Sequence, residues 1–168
     1  MDLPELVEES VCISGRTFTF HRVADPPSTL KNISKDEPQC DLWAYVWGSA
    51  PVLAQILLAM PLSDCRVVEV GAGTGLTTLA AAAAGATLLA TDLSPSALEL
   101  CRRNCVANGL SQQVTHRVLN WHSPFEVSER FPLLVASDVL YMRSAIQPII
   151  RLIKEFVEPD GCAIITDP

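Results

Sequence analysis

The feature that most restricts what this chain can become is Arg66 to Asp92, RVVEVGAGTGLTTLAAAAAGATLLATD. Val67-Val68-Glu69-Val70 is short and β-branched, which favours a strand over a helix. Gly71, Gly73 and Gly75 follow at alternate positions. Leu76 to Ala84 is alanine-rich and free of turn residues, so it is predicted helical, with Gly85 placed to end it in a left-handed cap. Thr87 to Ala90 is a second apolar run, and Asp92 closes it. Strand, glycine turn, helix, strand and carboxylate make one βαβ unit of a nucleotide-binding sheet.

The chemistry of that unit follows from its residues. Glycine lets the chain turn from strand to helix with positive φ and lets a ligand approach bare backbone. Amide groups at the helix start then face the ligand. Asp92 falls about 20 residues after the first glycine, where such units set a carboxylate against ribose hydroxyls. The dinucleotide fingerprint asks for a third glycine at position 76, which is Leu here, so a nicotinamide-dependent oxidoreductase is disfavoured. No Lys-Ser/Thr pair follows, which excludes a P-loop.

Composition narrows the partners. A chain of 168 residues, 49% of them apolar, is expected to form one folded domain. Its net charge of −7 disfavours nucleic acid as a direct partner. The acidic N-terminus has no apolar leader, and Leu76 to Ala90 is too short and broken by Gly85 to span a bilayer. The expectation is a soluble, cytoplasmic protein with reduced thiols and no membrane association. Among six cysteines, Cys101 and Cys105 lie four apart on a predicted helix. They read as packing residues rather than metal ligands. His21, His116 and His122 have no spacing that suggests a metal, and surface or loop roles are expected of them.

Along the rest of the chain, residues 1–9 read as loosely ordered and residues 11–23 as a strand, with a hairpin turn at Ser14-Gly15. Asp25 to Gln39 reads as a loop. Trp43, Tyr45 and Trp47 are core residues or an aromatic wall beside a ligand. Ser49 offers an N-cap and Pro51 a first-turn residue for a helix whose apolar face carries Val52, Leu53, Ile56, Leu57 and Met60. Ser94-Pro95 opens another helix, ending at Asn108-Gly109. Further strands are predicted at Val114 to Leu119 and Leu133 to Ser137, then an amphipathic helix through Ile146 to Val157. A turn at Glu158 to Gly161 and a fifth strand at Cys162 to Thr166 complete the pattern. Five strands alternating with helices predict an α/β fold, a three-layer parallel sheet with helices on both faces.

These segments resemble the class I, Rossmann-like, S-adenosylmethionine-dependent methyltransferases. The resemblance rests on EVGAGTGL and on ATDLSPSALELCRRNCVANG. The W-A-Y-V-W segment, Asn120-Trp121 and Asp138-Val139-Leu140-Tyr141 are similar to methyltransferase family sixteen, which holds protein lysine methyltransferases and nicotinamide N-methylase-like relatives. Residues 1–40 then read as an N-terminal extension and 41–168 as the methyltransferase domain. The family's sheet continues for two more strands, so this one reads as truncated after the fifth.

The resemblance implies S-adenosylmethionine as cofactor, with S-adenosylhomocysteine as product, and a protein lysine as methyl acceptor. Gly71, Ala72 and Gly73 would shape the turn under the methionine part, with Glu69 supporting it. Asp92 would bind the ribose, Leu93 would line the adenine pocket, and Asn120 and Trp121 would flank the ring. Trp47 and Ser137 would border the same cavity, and no metal is required. Asp138 would recruit and orient the amine, with Tyr141 shaping its pocket. Two alternatives stay open: a small amine or pyridine nitrogen as acceptor, and a degenerate binding module without activity.

Overall fold

In a computed structural model, residues 3–26, 40–123 and 129–168 are described, and the side chains of residues 40 and 41 are not. The expected loop at 25–39 lies mostly outside them. The elements are β1 (Leu6–Ile13), β2 (Arg16–Val23), α1 (Ser49–Ala59), β3 (Arg66–Val70), α2 (Leu76–Ala83), β4 (Thr87–Asp92), α3 (Pro95–Ala107), β5 (Val114–Val118), β6 (Phe131–Ser137), α4 (Arg143–Phe156) and β7 (Val157–Thr166).

Five strands form one parallel sheet in the order β5-β4-β3-β6-β7. The order reverses at β3, which opens a crevice at the strands' carboxyl ends. Alternation along the strands divides the core in two. Val67, Leu88, Leu133 and Val135 face α1, α2 and α3, whose Leu53, Leu57, Leu79 and Cys101 are fully buried. Val68, Val70, Leu134 and Ala136 face the opposite way, onto Ile149, Leu152 and Phe156 of α4. Helices thus cover both faces, as expected.

The hairpin β1–β2 turns at Ser14 and Gly15, both with positive φ. It begins at Leu6, so Leu6 to Glu9 is strand rather than loose chain: each of these residues pairs across to β2, from Leu6 with Val23 to Glu9 with Phe20. Phe18 and Phe20 bury one face of it. Asn104 of α3 and Asn108 at its C-terminal cap close the hairpin's edge as if they were a further strand. The Asn104 side chain accepts from His21 N–H at 2.7 Å and donates to His21 C=O at 2.9 Å. Asn108 does the same with Thr19, at 3.0 and 2.7 Å. Asn104 also donates to Thr74 C=O at 2.8 Å, which ties the hairpin to the glycine loop.

Three local expectations change. Ser49 is the first residue of α1, not its cap; Gly48 precedes it without a side-chain cap, and Asp138 satisfies the Ser49 amide instead. β6 starts at Phe131 despite Pro132, because the missing N–H falls at a register shift between Phe131 and Leu133. The segment Glu158 to Gly161, expected as a turn, is taken into β7, whose pairing jumps from Val157 to Cys162 across that irregularity. Among the described residues no helix is long and apolar enough to cross a membrane.

Candidate active site

The crevice forms where β3, β4 and β6 end. Gly71, Gly73 and Gly75 have φ of 73°, 51° and 88°, so each lies in the left-handed region that penalises a side chain. A Cβ on Gly71 would stand 3.1 Å from Val139 Cγ1 and 3.7 Å from the Trp121 ring. Bare backbone is therefore required beside that indole. The loop is pinned to the neighbouring strand: the amides of Gly71 and Ala72 both donate to Thr91 C=O at 2.9 Å.

Asp92 is 8% exposed, and both its oxygens already accept from the backbone. Gly73 N–H reaches Oδ2 at 2.9 Å and Ser94 N–H reaches Oδ1 at 2.8 Å. Burial pushes its carboxyl above the usual carboxylate range, and the amides of Ser94, Gly73 and Leu93 oppose that push. Each oxygen retains a further lone pair for a hydroxyl donor. The next helix starts as expected, with Ser94 capping α3 by accepting from Ala97 N–H at 3.3 Å.

Of the twelve candidate residues, Trp47, Gly71, Gly73, Asp92, Leu93, Asn120, Trp121, Ser137, Asp138 and Tyr141 line one cleft. It spans about 780 Å³, including space open to solvent. Ala72 and Glu69 do not line it. Ala72 sits within the loop with its side chain turned into the core. Glu69 is 1% exposed and lies behind the loop, where Thr78 of α2 donates to it. Burial drives its carboxyl up to about 8 against that hydrogen bond.

Trp43 and Tyr45 join the cleft wall, so the aromatic segment serves the cavity as well as the core. Trp47 is held by its indole N–H donating to Leu42 C=O at 2.9 Å, and its ring tilts against Tyr45 with centroids 5.6 Å apart. The Arg151 guanidinium donates to the carbonyls of Trp121 and Ser123 at 2.6 and 2.9 Å, which fixes the turn carrying Trp121.

At the opposite rim, Asp138 stands at the end of β6 with φ of 54°. Its Oδ2 accepts from Ser49 N–H at 3.2 Å, joining β6 to the start of α1. Burial raises its carboxyl, Ser49 lowers it, and Asp167 raises it again. Asp167 in turn accepts from Leu140 N–H at 2.7 Å, which steadies the turn leading to Tyr141. Tyr141 is 52% exposed at the mouth. Its phenol is pushed up by burial and then by Asp92.

Sequence reasoning missed Leu42, Ser94, His122, Val139 and Met142 as lining residues, Ser94 having been read only as a helix cap. His122 is exposed, as expected, but at the cleft edge; it follows Trp121 in the same turn, and its N–H donates to Asn120 Oδ1 at 3.0 Å. Adjacency to Trp121 was the available signal for it. Leu42, Val139 and Met142 are apolar neighbours of motif residues and carry none.

The sequence pattern of the lysine methyltransferase family matches residues 27–167. The chain belongs to this family. Protein N-lysine methyltransferase METTL21A of Xenopus tropicalis is 31% identical over 125 residues, covering 71% of this chain and 57% of that protein. Histone-arginine methyltransferase METTL23 of Homo sapiens is 35% identical over 117 residues, covering 65% of this chain and 60% of that protein. The chain therefore spans under two thirds of the length of either relative. Among solved structures, the glycopeptide N-methyltransferase MtfA complexed with S-adenosylmethionine shares the fold. The TM-score is 0.57 at 21% identity, covering 67% of this chain and 47% of that one.

Proposed function

We propose that this member of the lysine methyltransferase family binds S-adenosylmethionine in the described cleft and transfers its methyl group to the side-chain nitrogen of a protein lysine. The observation that carries the reading is the convergence of bare backbone at Gly71 and Gly73, the Asp92 carboxylate and the Trp121 ring on one side of a single cavity. A nucleoside offers a planar ring for Trp121 and two hydroxyl donors for Asp92. The MtfA complex supports that choice of ligand for the fold.

When bound, the sulfonium supplies an activated methyl group whose displacement moves positive charge away from sulfur. Little negative charge develops, so the residues need supply no oxyanion hole. Their contribution is alignment. Gly71, Gly73 and Asp92 hold the donor end, and Asp138 and Tyr141 face the acceptor end. A lysine must be neutral to attack, although its reference pKa is near 10.4. Desolvation of the lysine as it docks against the Trp47 and Tyr141 rings would lower that pKa, while the Asp138 carboxylate would raise it. Asp138 therefore acts best by recruiting and orienting the amine rather than as a strong base. The net charge of −7 favours a basic protein partner.

All three tryptophans of the chain line the cleft, so intrinsic fluorescence reports its occupancy. S-adenosylhomocysteine is expected to change the emission, and NADH is expected to leave it unchanged. Tritiated methyl transfer into a cell extract, resolved by size and followed by mass spectrometry, then reads the acceptor. Label on a protein lysine supports the proposal. Label on arginine moves the acceptor to the METTL23 type, and label only in small molecules removes the protein substrate. A folded chain without affinity for S-adenosylhomocysteine overturns the reading.

A further inference from the structure

Behind the glycine loop, away from the cleft, three ligand-type side chains meet. Cys101 and Cys105 are four apart on α3, hence on one face of it. Their sulfurs and a ring nitrogen of His116 on β5 all lie within 4.8 Å of one another. Both cysteines are fully buried, at 0% exposure. His116 comes from a different element and is brought there by the register of β5 against β4, which pairs it with Ala90.

Packing accounts for the two sulfurs, and the imidazole stands beside the Cys105 thiol, where after Cys101 it helps draw that thiol below its ordinary range. His116 Nε2 is sealed from solvent and has no hydrogen-bond partner among the described residues. A buried, unpaired ring nitrogen is costly. A cation held between the three groups would remove that cost.

We propose that Cys101, Cys105 and His116 form a binding site for a thiophilic dication of the Zn²⁺ class. Two thiolates and an imidazole are the donor set that zinc favours over magnesium or calcium. Zinc bonds of about 2.3 Å to sulfur and about 2.0 Å to nitrogen place tetrahedral ligand atoms roughly 3.5–3.8 Å apart. The cluster therefore needs only a modest contraction to close on a metal. Two thiolates balance the charge of one dication, and a water carried in with the ion would fill the fourth tetrahedral position. The thiol proton that binding displaces from Cys101 is the one it now directs at Thr78 Oγ1, 3.4 Å away. The site clamps α3 to β5 and takes no part in methyl transfer.

The test uses the reduced chain with Cys12, Cys40, Cys65 and Cys162 replaced by serine, titrated with Co²⁺ and then with Zn²⁺. The expected result is saturation at about one equivalent, a thiolate-to-cobalt charge-transfer band with intense tetrahedral visible bands, and displacement by Zn²⁺. Release of at least one proton per cation, from Cys101, accompanies it. Cys105→Ser and His116→Asn are each expected to weaken binding by roughly a hundredfold. Bands that persist in both variants, or a weak octahedral spectrum without proton release, overturn the site. Where a variant does not fold, the spectrum and proton count of its folded parent decide the matter by the same criteria.

Discussion

Asp92 Oδ2 accepts the Gly73 amide at 2.9 Å, so the carboxylate that ends β4 also holds the loop that follows β3. One side chain thus shapes the ligand-facing backbone and offers its remaining lone pairs to the ligand. Asp92→Ala loses both functions and orphans the amides of Gly73 and Ser94. The expected cost is about 1–3 kcal/mol of stability, by the usual penalty for an unpaired buried donor. Affinity for S-adenosylhomocysteine should fall roughly a hundredfold, about 2.7 kcal/mol. Asp92→Asn, which keeps an acceptor oxygen, should lose less of each. Calorimetry and urea denaturation on the two variants separate the contributions. Equal, wild-type affinity in both would remove Asp92 from the binding site.

Glu69 gives the fold a pH dependence. Its folded pKa of about 8 lies above its ordinary value of 4.5, because burial disfavours the charged carboxylate. The folded chain holds a proton that the unfolded chain releases. Its contribution to stability is complete below pH 4.5 and is lost as pH rises through about 8. Glu69→Gln keeps an acceptor for Thr78 without an ionisable group. Urea midpoints measured from about pH 5 to about pH 9 should therefore fall in the wild type and flatten in the variant. Parallel curves for the two proteins would show that some other group carries the dependence.

Gly75 separates a backbone cost from a packing cost. At φ of 88° any L side chain is strained, and a Cβ there would lie 2.6 Å from Cys101 Sγ and 3.0 Å from Cys101 Cα. Gly109 has φ of 69° with nothing within 4 Å of the same atom. Gly109→Ala should cost about 1–2 kcal/mol, the price of the left-handed backbone alone. Gly75→Ala should cost about 1–3 kcal/mol more, since α3 must move off the loop. Chemical denaturation of both variants gives the difference directly. Equal losses would mean that α3 yields at little cost.

These contrasts mark what the sequence can and cannot disclose. The βαβ unit was legible because its signals are local: a β-branched run, glycines where φ must be positive, and Ser94-Pro95 at a helix start. Gly85 ends α2 with φ of 100°, as its position suggested. What escaped depends on pairing between distant segments. Leu6 to Glu9 is strand only because β2 lies beside it. Pro132 is admitted to β6 only because the register shifts there. Asn104 reads as an ordinary helix residue until the edge of β2 and the carbonyl of Thr74 arrive at its amide. His116 has no partner in local spacing, since Cys101 and Cys105 reach it through the stacking of α3 on β5. Apart from Trp47, which precedes α1, the motif residues in the cleft were readable for the opposite reason, that each sits at a strand end or in the turn after it.

Asp138 admits a decisive separation of structure from chemistry. Its φ of 54° is tolerated by Asn nearly as well as by Asp, so Asp138→Asn leaves the turn in place. The amide oxygen can still accept from Ser49 N–H, which keeps β6 joined to α1. Only the negative charge is removed. Stability should change by no more than about 0.5 kcal/mol, and S-adenosylhomocysteine affinity should stay the same. Methyl transfer should fall about 10- to 100-fold if the carboxylate recruits and orients a cationic amine before it loses its proton. Asp138→Ala loses the cap as well, so about 1 kcal/mol of stability should go with the activity. Because the carboxylate both attracts the amine and raises its pKa, the asparagine variant should also reach half-maximal rate at lower pH than the wild type. A purely structural Asp138 would leave the rate and its pH profile unmoved in Asp138→Asn. That outcome would withdraw the residue from the acceptor site while leaving cofactor binding in place.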